Sequence, residues 1–291
     1  MSYSTVVKQS GSVDSSENLP IHYDLYVPIG KNEGSIPVVL FLHGFKGFKD
    51  WGPFPDACEA IAREGFGVVA FNFSLNGVGE SMTEFDQLEL FARETLSQDL
   101  DDVGRVIEAL KTGNIATGKV ELNTDEIGIL GHSRGGQTAV AAADEYPEIA
   151  CLVTWSAVAD YNARWSSEMV KDWETEGYTE IKNARTGQVM PLKRVVYDDA
   201  REHADRVIAL NRVENLYIPS LFIHAREDES VPYREAEKLY QACPSSDKEL
   251  KLIPDTGHTF GGAHPFEDEE FPEPFRYVLE QTIEWFEYYL K

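Results

Sequence analysis

A serine flanked by glycines is the residue of this sequence best placed to do covalent chemistry. Ser133 stands in the pentapeptide Gly131-His132-Ser133-Arg134-Gly135, between an apolar run and a run of small residues typical of a helix. A sharp turn from strand to helix strains the backbone of the residue at its tip, so the flanking residues must be small. The N-terminus of the helix then directs free N–H groups at the same point. The pattern predicts a nucleophilic serine.

An acid and a histidine follow two predicted strands further along the chain. Asp228 comes soon after the apolar run that ends at His224, and His258 follows the run at residues 250–253. The order serine, acid, histidine is expected when a nucleophile turn lies on a parallel sheet. Asp160 also follows a predicted strand and is a rival acid. Asp228 is favoured over it because it stands in an Asp-x-x-Val-Pro context.

Acyl transfer also needs two hydrogen-bond donors directed at the negative oxygen that develops. The first donor predicted here is the N–H of Arg134, the residue after the serine. The second is the N–H of Phe45, in the segment His43-Gly44-Phe45-Lys46-Gly47 that follows an earlier apolar run. His43 is expected to hold nearby backbone and not to react. The side chains of His132 and Arg134 are expected to pack behind the site, and contact between Arg134 and a substrate stays open.

These residues must be positioned by the elements around them. Apolar runs of strand length are found at residues 38–42, 68–73, 127–130, 151–154, 221–224 and 250–253. Helical patterns lie between and after them, at residues 57–63, 87–110, 136–144, 233–241 and 274–290. Buried strands that alternate with helices predict a mostly parallel sheet covered on both faces. The N-terminal stretch, with residues 6–7 and 22–27, is predicted to add antiparallel edge strands.

Residues 161–215 break this alternation because they contain no buried-strand run. They hold Trp165, Trp173, a predicted hairpin through residues 185–187 and a charged helix around residues 198–210. Long insertions in compact domains are usually functional, so we expect a cap over the site. An enlarged surface connection is the alternative. The aromatic residues of the segment form either a wall that suits an aromatic acyl group or the segment's own core.

Four segments resemble the α/β-hydrolase superfamily: HGFKGFKDW, GHSRGG, HAREDESVP and DTGHTF. Within it, they are similar to esterases of the cinnamoyl/feruloyl-esterase and dienelactone-hydrolase-like group. That group shades into the catalytic domains of prolyl-oligopeptidase-type peptidases. The resemblance implies an α/β-hydrolase fold, with a core formed by residues 1–160 and 216–291 and a cap insertion at residues 161–215.

The resemblance also implies roles for individual residues. Ser133 would be the nucleophile, Asp228 the acid and His258 the base, with the N–H groups of Phe45 and Arg134 as the oxyanion hole. No metal or organic cofactor is implied. Dienelactone hydrolases proper use a cysteine nucleophile, so a serine argues against that reaction. The expected activity is hydrolysis of a small-molecule carboxylic ester through an acyl-enzyme, with cinnamoyl or feruloyl esters as one candidate class.

Two other functions stay open. The same three side chains cleave amides, so a serine peptidase of the prolyl-oligopeptidase type is one alternative, although no propeller-sized stretch precedes the core in this sequence. A non-catalytic binding protein on a hydrolase scaffold is the other. It usually goes with a broken triad, whereas this chain keeps all three members.

The charge balance excludes some partners. The chain has 26 Lys and Arg against 50 Asp and Glu, so its formal net charge is −24. Such a charge repels nucleic acid backbones and anionic lipid surfaces, so neither is an expected partner. The acidity fits either solvated acidic faces of an ordinary protein or adaptation to high salt, which screens self-repulsion.

Location is expected from what the sequence lacks. The first twenty residues contain no long apolar run, so we expect no signal peptide. No apolar run has the length of a membrane span. The three cysteines are too few for a disulfide framework. A cytoplasmic location is the simplest expectation, and the sequence does not determine the oligomeric state.

Overall fold

The computed structural model describes residues 5–30, 34–118 and 120–291 of the chain. Residues 1–4, 31–33 and 119, which the sequence assigned to the core, lie outside the described residues. The strands, in chain order, are β1 Val6–Asp14, β2 Pro20–Pro28, β3 Ile36–Leu42, β4 Gly67–Phe71, β5 Leu122–His132, β6 Ile149–Trp155, β7 Tyr178–Lys182, β8 Val189–Lys193, β9 Ser220–Ala225 and β10 Lys248–Ile253.

Eight of these strands form one sheet in the order β1-β2-β4-β3-β5-β6-β9-β10. The pairs from β4 through to β10 are parallel, whereas β2 is antiparallel to both β1 and β4. The prediction of a mostly parallel sheet with antiparallel N-terminal strands is confirmed. Strand β1 lies at one edge of the sheet, as predicted, but β2 lies inside it, so the prediction of an edge strand at residues 22–27 is wrong. Strands β7 and β8 form a separate antiparallel hairpin.

The helices cover both faces of the sheet. In chain order they are α1 Phe54–Arg63, α2 Leu88–Phe91, α3 Leu96–Lys111, α4 Arg134–Glu145, α5 Ser167–Thr175, α6 Arg194–Glu202, α7 Ala204–Val207, α8 Ala209–Arg212, α9 Arg234–Ala242 and α10 Glu273–Leu290. Within the described residues, no helix is both long enough and apolar enough to cross a lipid bilayer.

Two apolar cores flank the sheet because nearly every residue of the central strands is buried. One core packs α3, α4 and α9 on one face, and the other packs α1 and α10 on the opposite face. This is the layering that near-continuous apolar strands require. All three cysteines are buried and free within these layers or next to them.

The prediction of one continuous helix at residues 87–110 is wrong, because two helices, α2 and α3, occupy this stretch. The break lies at residues 92–95, where Thr95 begins α3 by accepting a hydrogen bond from the N–H of Gln98 at 3.2 Å. The carbonyl freed at Glu94 instead accepts from the Arg134 guanidinium at 3.0 Å. A buried cation that needs acceptors therefore competes with helix continuity at this point.

The predicted charged helix at residues 198–210 is likewise replaced by three shorter helices, α6, α7 and α8. His203 ends α6 and begins α7, and Ile208 stands in extended backbone between α7 and α8. The buried side chains Val207, Ile208 and Ala209 turn into the core at this break. Tertiary packing therefore overrides the helical pattern of the charged residues.

Candidate active site

Ser133 occupies the turn between β5 and α4. Its backbone angles are φ +57° and ψ −119°, a conformation that is strained for a residue with a side chain. Several hydrogen bonds hold it there. Its N–H donates to the carbonyl of Trp155 at 2.8 Å, and its own carbonyl accepts from the N–H of Gly136 at 3.0 Å. The turn is therefore fixed from β6 on one side and from α4 on the other.

Two glycines allow the loop after β3 to lie against this turn. A Cβ at Gly135 would come within 2.3 Å of the carbonyl oxygen of His43. A Cβ at Gly44 would come within 2.8 Å of the Ser133 Cβ. Neither contact is possible for a larger residue without movement of the backbone. These glycines therefore bring the segment that contains Phe45 next to the serine.

Asp228 and His258 meet beyond the ends of β9 and β10. The His258 Nδ1 lies 2.7 Å from the Asp228 Oδ2. The other oxygen, Oδ1, accepts from the N–H groups of Ser230 and Val231, each at 2.8 Å. The Asp228 side chain is fully buried and that of His258 is 21% exposed. An acceptor carboxylate at Nδ1 leaves Nε2 of the imidazole free to act as a base.

A second imidazole contacts the same carboxylate. Nε2 of the buried His224, in β9, lies 3.3 Å from the Asp228 Oδ2 and 2.8 Å from the carbonyl oxygen of Val231. Burial acts to raise the pKa of Asp228, but the hydrogen bonds from His224 and His258 overcome it and hold that pKa well below its ordinary value. His224 stands four residues before Asp228 in the sequence, but its contact with the carboxylate was not predicted.

Ser133 and His258 face the same space. Both line a cavity of about 290 Å³ bounded by Trp51, Phe54 and the tip of the β7–β8 hairpin. Both residues also line a second cavity, of about 500 Å³, which Tyr161 and Trp165 help to form. The described residues contain no hydrogen bond between the serine hydroxyl and the imidazole. Such bonds are often long in free enzymes and shorten when substrate binds.

The two predicted oxyanion donors belong to residues that line the cavities beside Ser133. Phe45 lines both of them, and Arg134 lines the larger. Within the described part of the chain, neither the Phe45 N–H nor the Arg134 N–H donates to a backbone carbonyl. Both N–H groups are therefore available to a substrate oxygen.

The side chain of Arg134 points away from this space into a buried cluster with Glu94 and Asp99. Its guanidinium lies 2.7 Å from Asp99 and 3.3 Å from Glu94. It also packs over the rings of Phe45 and Tyr161, at 5.5 and 5.4 Å from their centroids. We call Arg134, Glu94 and Asp99 the Arg134 cluster. Its side-chain contacts support the turn from behind.

The neighbouring histidine also supports the site. His132 is buried, and its ring centroid lies 4.7 Å from that of His258. Burial, with a smaller contribution from His258, lowers the pKa of His132 to about 3, so its imidazole is neutral. Its Nε2 lies 3.1 Å from the carbonyl oxygen of His258, which accepts a hydrogen bond from it. This contact fixes the backbone of the loop that carries His258.

Two other candidate residues lie apart from the reacting groups. His43 is buried with Nδ1 3.0 Å from the carbonyl oxygen of Gly44, and burial lowers its pKa to about 4. Asp160 accepts a hydrogen bond at 2.9 Å from the N–H of Asn162 and begins the short 3-10 helix of residues 161–164. The structure brings Asp228, and not this rival, to His258.

The aromatic residues of the 161–215 segment divide between the two predicted roles. Trp173 is buried, and its Nε1 donates to the carbonyl of Leu192 at 2.9 Å, so it belongs to the segment's own core. Tyr161 and Trp165 line the larger cavity together with the serine. Tyr178 is 47% exposed.

Residues 58–282 match the prolyl oligopeptidase family. An uncharacterized protein of Salmonella typhimurium, YfhR, is 27% identical over an alignment of 236 residues that covers 79% of this chain and 66% of that relative.

Solved structures share the fold over nearly the whole chain. Est1E from Butyrivibrio proteoclasticus has a TM-score of 0.68 at 20% identity and covers 97% of this chain and 98% of its own. It has also been solved with ferulic acid bound. A putative dienelactone hydrolase from Klebsiella pneumoniae has a TM-score of 0.63 at 16% identity, covering 98% of this chain and all of its own. The chain is an α/β-hydrolase and belongs to the prolyl oligopeptidase family.

Proposed function

We propose that this protein is a serine carboxylesterase that hydrolyses carboxylic esters through an acyl-enzyme. Ser133 is the nucleophile, His258 the general base and Asp228 the acid that orients it. The observation that carries the proposal is the 2.7 Å contact between His258 Nδ1 and Asp228 Oδ2, beside a serine in a strained turn that lines the same cavities. An imidazole oriented by a carboxylate and a serine in a strained turn on the same cavity are two of the features by which such sites are recognised.

The reaction takes place in two steps. The Ser133 Oγ attacks the ester carbonyl carbon while its proton passes to His258 Nε2, and the negative oxygen accepts from the N–H groups of Phe45 and Arg134. The intermediate collapses, and the alcohol leaves with the proton from His258. Water then attacks the acyl-enzyme as His258 takes one of its protons. The acid departs, and the serine regains its proton.

Covalent labelling tests the nucleophile directly. A fluorophosphonate probe is expected to label the wild-type protein at Ser133 and to leave Ser133→Ala unlabelled. Hydrolysis of short p-nitrophenyl esters is expected to fall by about 10⁶ in kcat in that variant, as for loss of a nucleophilic serine elsewhere. A folded wild-type protein that neither reacts with the probe nor cleaves any ester would favour a non-catalytic binding protein on this scaffold.

Peptide hydrolysis is the second candidate, because the chain belongs to a family named for oligopeptidases. The same acyl-enzyme chemistry cleaves amides, with an amine leaving in place of the alcohol. A proline p-nitroanilide and the matched proline ester separate the two activities. We expect kcat/KM for the ester to exceed that for the anilide by much more than the ratio of their intrinsic reactivities.

We also propose that residues 161–215 form the cap of this site and favour an aromatic acyl group. Tyr161 and Trp165 supply aromatic surface in the larger cavity, which is the kind of wall such a group packs against. Est1E, which shares the fold, has been solved with ferulic acid bound. Methyl ferulate is expected to be cleaved with a higher kcat/KM than methyl esters of aliphatic acids of similar size. Trp165→Ala should remove that preference, and equal rates in the wild type would exclude it.

A further inference from the structure

The smaller cavity has a charge opposite to that of the whole protein. Two cationic side chains, Lys46 and Arg185, line it together with Ser133 and His258. None of its lining residues in the described part of the chain is an aspartate or glutamate. The chain as a whole has a net charge of −24. A positive cavity on so acidic a protein is therefore a local arrangement that the overall composition does not explain.

Lys46 is held in place without a negative partner. It lies on the loop beside the serine, with a left-handed φ of +57° that fixes its direction. Its Nζ lies 3.5 Å from the carbonyl oxygen of Lys182 and 5.9 Å from the centroid of the Phe45 ring. The described residues offer it no ion pair. Burial lowers its pKa, which is the effect of a cation that lacks a compensating charge.

Arg185 approaches the same space from the opposite side. It lies at the tip of the β7–β8 hairpin, where the Asn183 side chain accepts its N–H at 3.0 Å and shapes the turn. Its guanidinium lies 6.0 Å from the centroid of the Phe48 ring, and it forms no ion pair within the described residues. The pKa of His264 is lowered mainly by burial and, to a smaller extent, by the positive charge of Arg185. Arg185 is thus a cation without a described ion pair that lines the smaller cavity.

The larger cavity has a more balanced charge. Lys46, Arg134, Arg164 and Glu229 line it. The Arg134 guanidinium is paired with Glu94 and Asp99, and the Arg164 guanidinium donates to the carbonyl of Ser230. Lys46 lines both cavities, whereas Arg185 lines only the smaller one, where two cations without a described ion pair meet and no carboxylate is present among the described lining residues.

We propose that the ester cleaved at this site bears an anionic group, a carboxylate or a phosphate, which Lys46 and Arg185 bind in the smaller cavity. The inference rests on the proposed esterase function and adds a substrate class to it. A planar guanidinium and a partly desolvated ammonium are the donors that such oxyanions prefer. Low-dielectric walls strengthen both contacts.

Matched ester pairs test this preference. Methyl 4-acetoxybenzoate, 4-acetoxybenzoate and 4-acetoxyphenyl phosphate place a neutral group, a carboxylate and a phosphate at the para position of the leaving phenol. The mono-4-nitrophenyl ester of terephthalic acid and its methyl ester place the charge on the acyl part instead. In at least one pair, kcat/KM for the anionic ester is expected to exceed that for the neutral one by about tenfold or more. The carboxylate and phosphate arms identify which anion is bound.

Variants connect the preference to its residues. Lys46→Gln, Arg185→Gln and the double variant are expected to reduce the anionic-to-neutral ratio in steps, and 0.5 M salt should reduce it in the wild type. Lys171→Gln and Arg234→Gln are the matched controls. Both remove a cation that forms no described ion pair and lines neither cavity, so both should keep the wild-type ratio.

The outcomes separate this inference from the proposed function. If neutral esters are cleaved but no anionic ester is preferred, or the double variant keeps the preference, the anion site is wrong and the esterase stands. If no ester is cleaved at all, the esterase proposal fails. Calorimetric binding of 4-acetoxybenzoate to Ser133→Ala then still tests the site. Binding that is lost in the Ser133→Ala, Arg185→Gln double variant supports the anion site, and the absence of binding overturns it.

Discussion

Three buried carboxylates support the residues of the candidate site, and they differ in how many hydrogen-bond donors surround them. Both oxygens of Asp228 accept hydrogen bonds, two from backbone N–H groups and one from His258, and His224 Nε2 lies 3.3 Å from Oδ2. In the Arg134 cluster, two carboxylates share one guanidinium, and Asp99 Oδ1 and Glu94 Oε2 have no hydrogen-bond donor among the described residues. Each oxygen of Asp228 therefore has at least one hydrogen-bond donor, whereas one oxygen of each carboxylate in the Arg134 cluster has none among the described residues.

This difference in hydrogen-bond donors explains why the pKa values of the buried carboxylates shift in opposite directions at Asp228 and in the Arg134 cluster. Burial raises the pKa of Asp99 well above its ordinary value and raises that of Glu94, because one guanidinium does not compensate both charges. At Asp228 the same effect is overcome by donors, and the pKa falls. A carboxylate that stays charged is suited to stabilising an imidazolium, and the Arg134 cluster is suited only to holding the turn.

The largest expected effect in this comparison comes from removing the charge of Asp228, the buried carboxylate with several hydrogen-bond donors. Asp228→Asn should lower kcat for ester hydrolysis by about 10⁴, because the amide favours the wrong tautomer of His258. Its midpoint of urea unfolding should change much less. A fall in kcat of less than tenfold in a folded variant would show that another group orients the imidazole.

Removing the cation of the Arg134 cluster should act on stability instead. Arg134→Gln leaves Glu94 and Asp99 buried without their partner, and we expect it to lower the free energy of unfolding by about 3–5 kcal/mol at pH 8. The loss should shrink toward pH 5, as the two acids take up protons. Urea unfolding at both pH values measures it.

The matched control for that variant is Arg93→Gln. Arg93 pairs with Glu17 at 2.6 Å, but both side chains are at least one-third exposed. Its removal should cost less than about 1 kcal/mol. Equal losses in the two variants would mean that burial does not distinguish the Arg134 cluster from a surface ion pair.

Asp102, on the same helix as Asp99, is a further buried carboxylate, and it makes the stability of the protein depend on pH. Burial raises its pKa to about 7, although Ser74 and Gln98 donate to it at 2.7 and 2.8 Å. The folded protein therefore keeps this proton up to about pH 7, whereas the unfolded chain loses it near pH 4. Stability from this group is present below that window and falls as pH rises through it, by at most about 1.4 kcal/mol for each pH unit.

Asp102→Asn should flatten the decline of unfolding free energy between about pH 4 and 7. Urea unfolding across that range, with equal m-values for the variant and the wild type, gives the comparison. Asp228 contributes with the opposite sign, since its lowered pKa stabilises the fold above about pH 4. An unchanged slope in the variant would contradict the raised pKa of Asp102.

The smallest expected effect is on catalysis and comes from replacing His132, whose imidazole is neutral. His132→Phe keeps a ring beside His258 but removes the hydrogen bond to its carbonyl. We expect kcat to fall by about two- to twelvefold, the equivalent of one neutral hydrogen bond, with KM nearly unchanged. A loss above a hundredfold would make His132 part of the chemistry, and an unchanged kcat would remove its positioning role.

The sequence by itself determined the fold and the order of the candidate site residues. Three apolar strand-length runs lead into Ser133, Asp228 and His258, and this order is enough because a parallel sheet gathers its strand ends at one edge. Gly131 and Gly135 likewise marked the close packing at Ser133. These are local patterns, and the strands and the tight turn that they specify form almost independently of the residues that pack around them.

Only the tertiary structure decided which charged groups meet. The helix predicted at residues 87–110 breaks because Arg134, distant in sequence, takes the carbonyl of Glu94. The approach of Lys46 and Arg185 to one cavity depends on a hairpin folding back over a loop more than a hundred residues away. Contacts of this kind depend on distance and solvation in three dimensions, and periodicity along the chain carries no information about either.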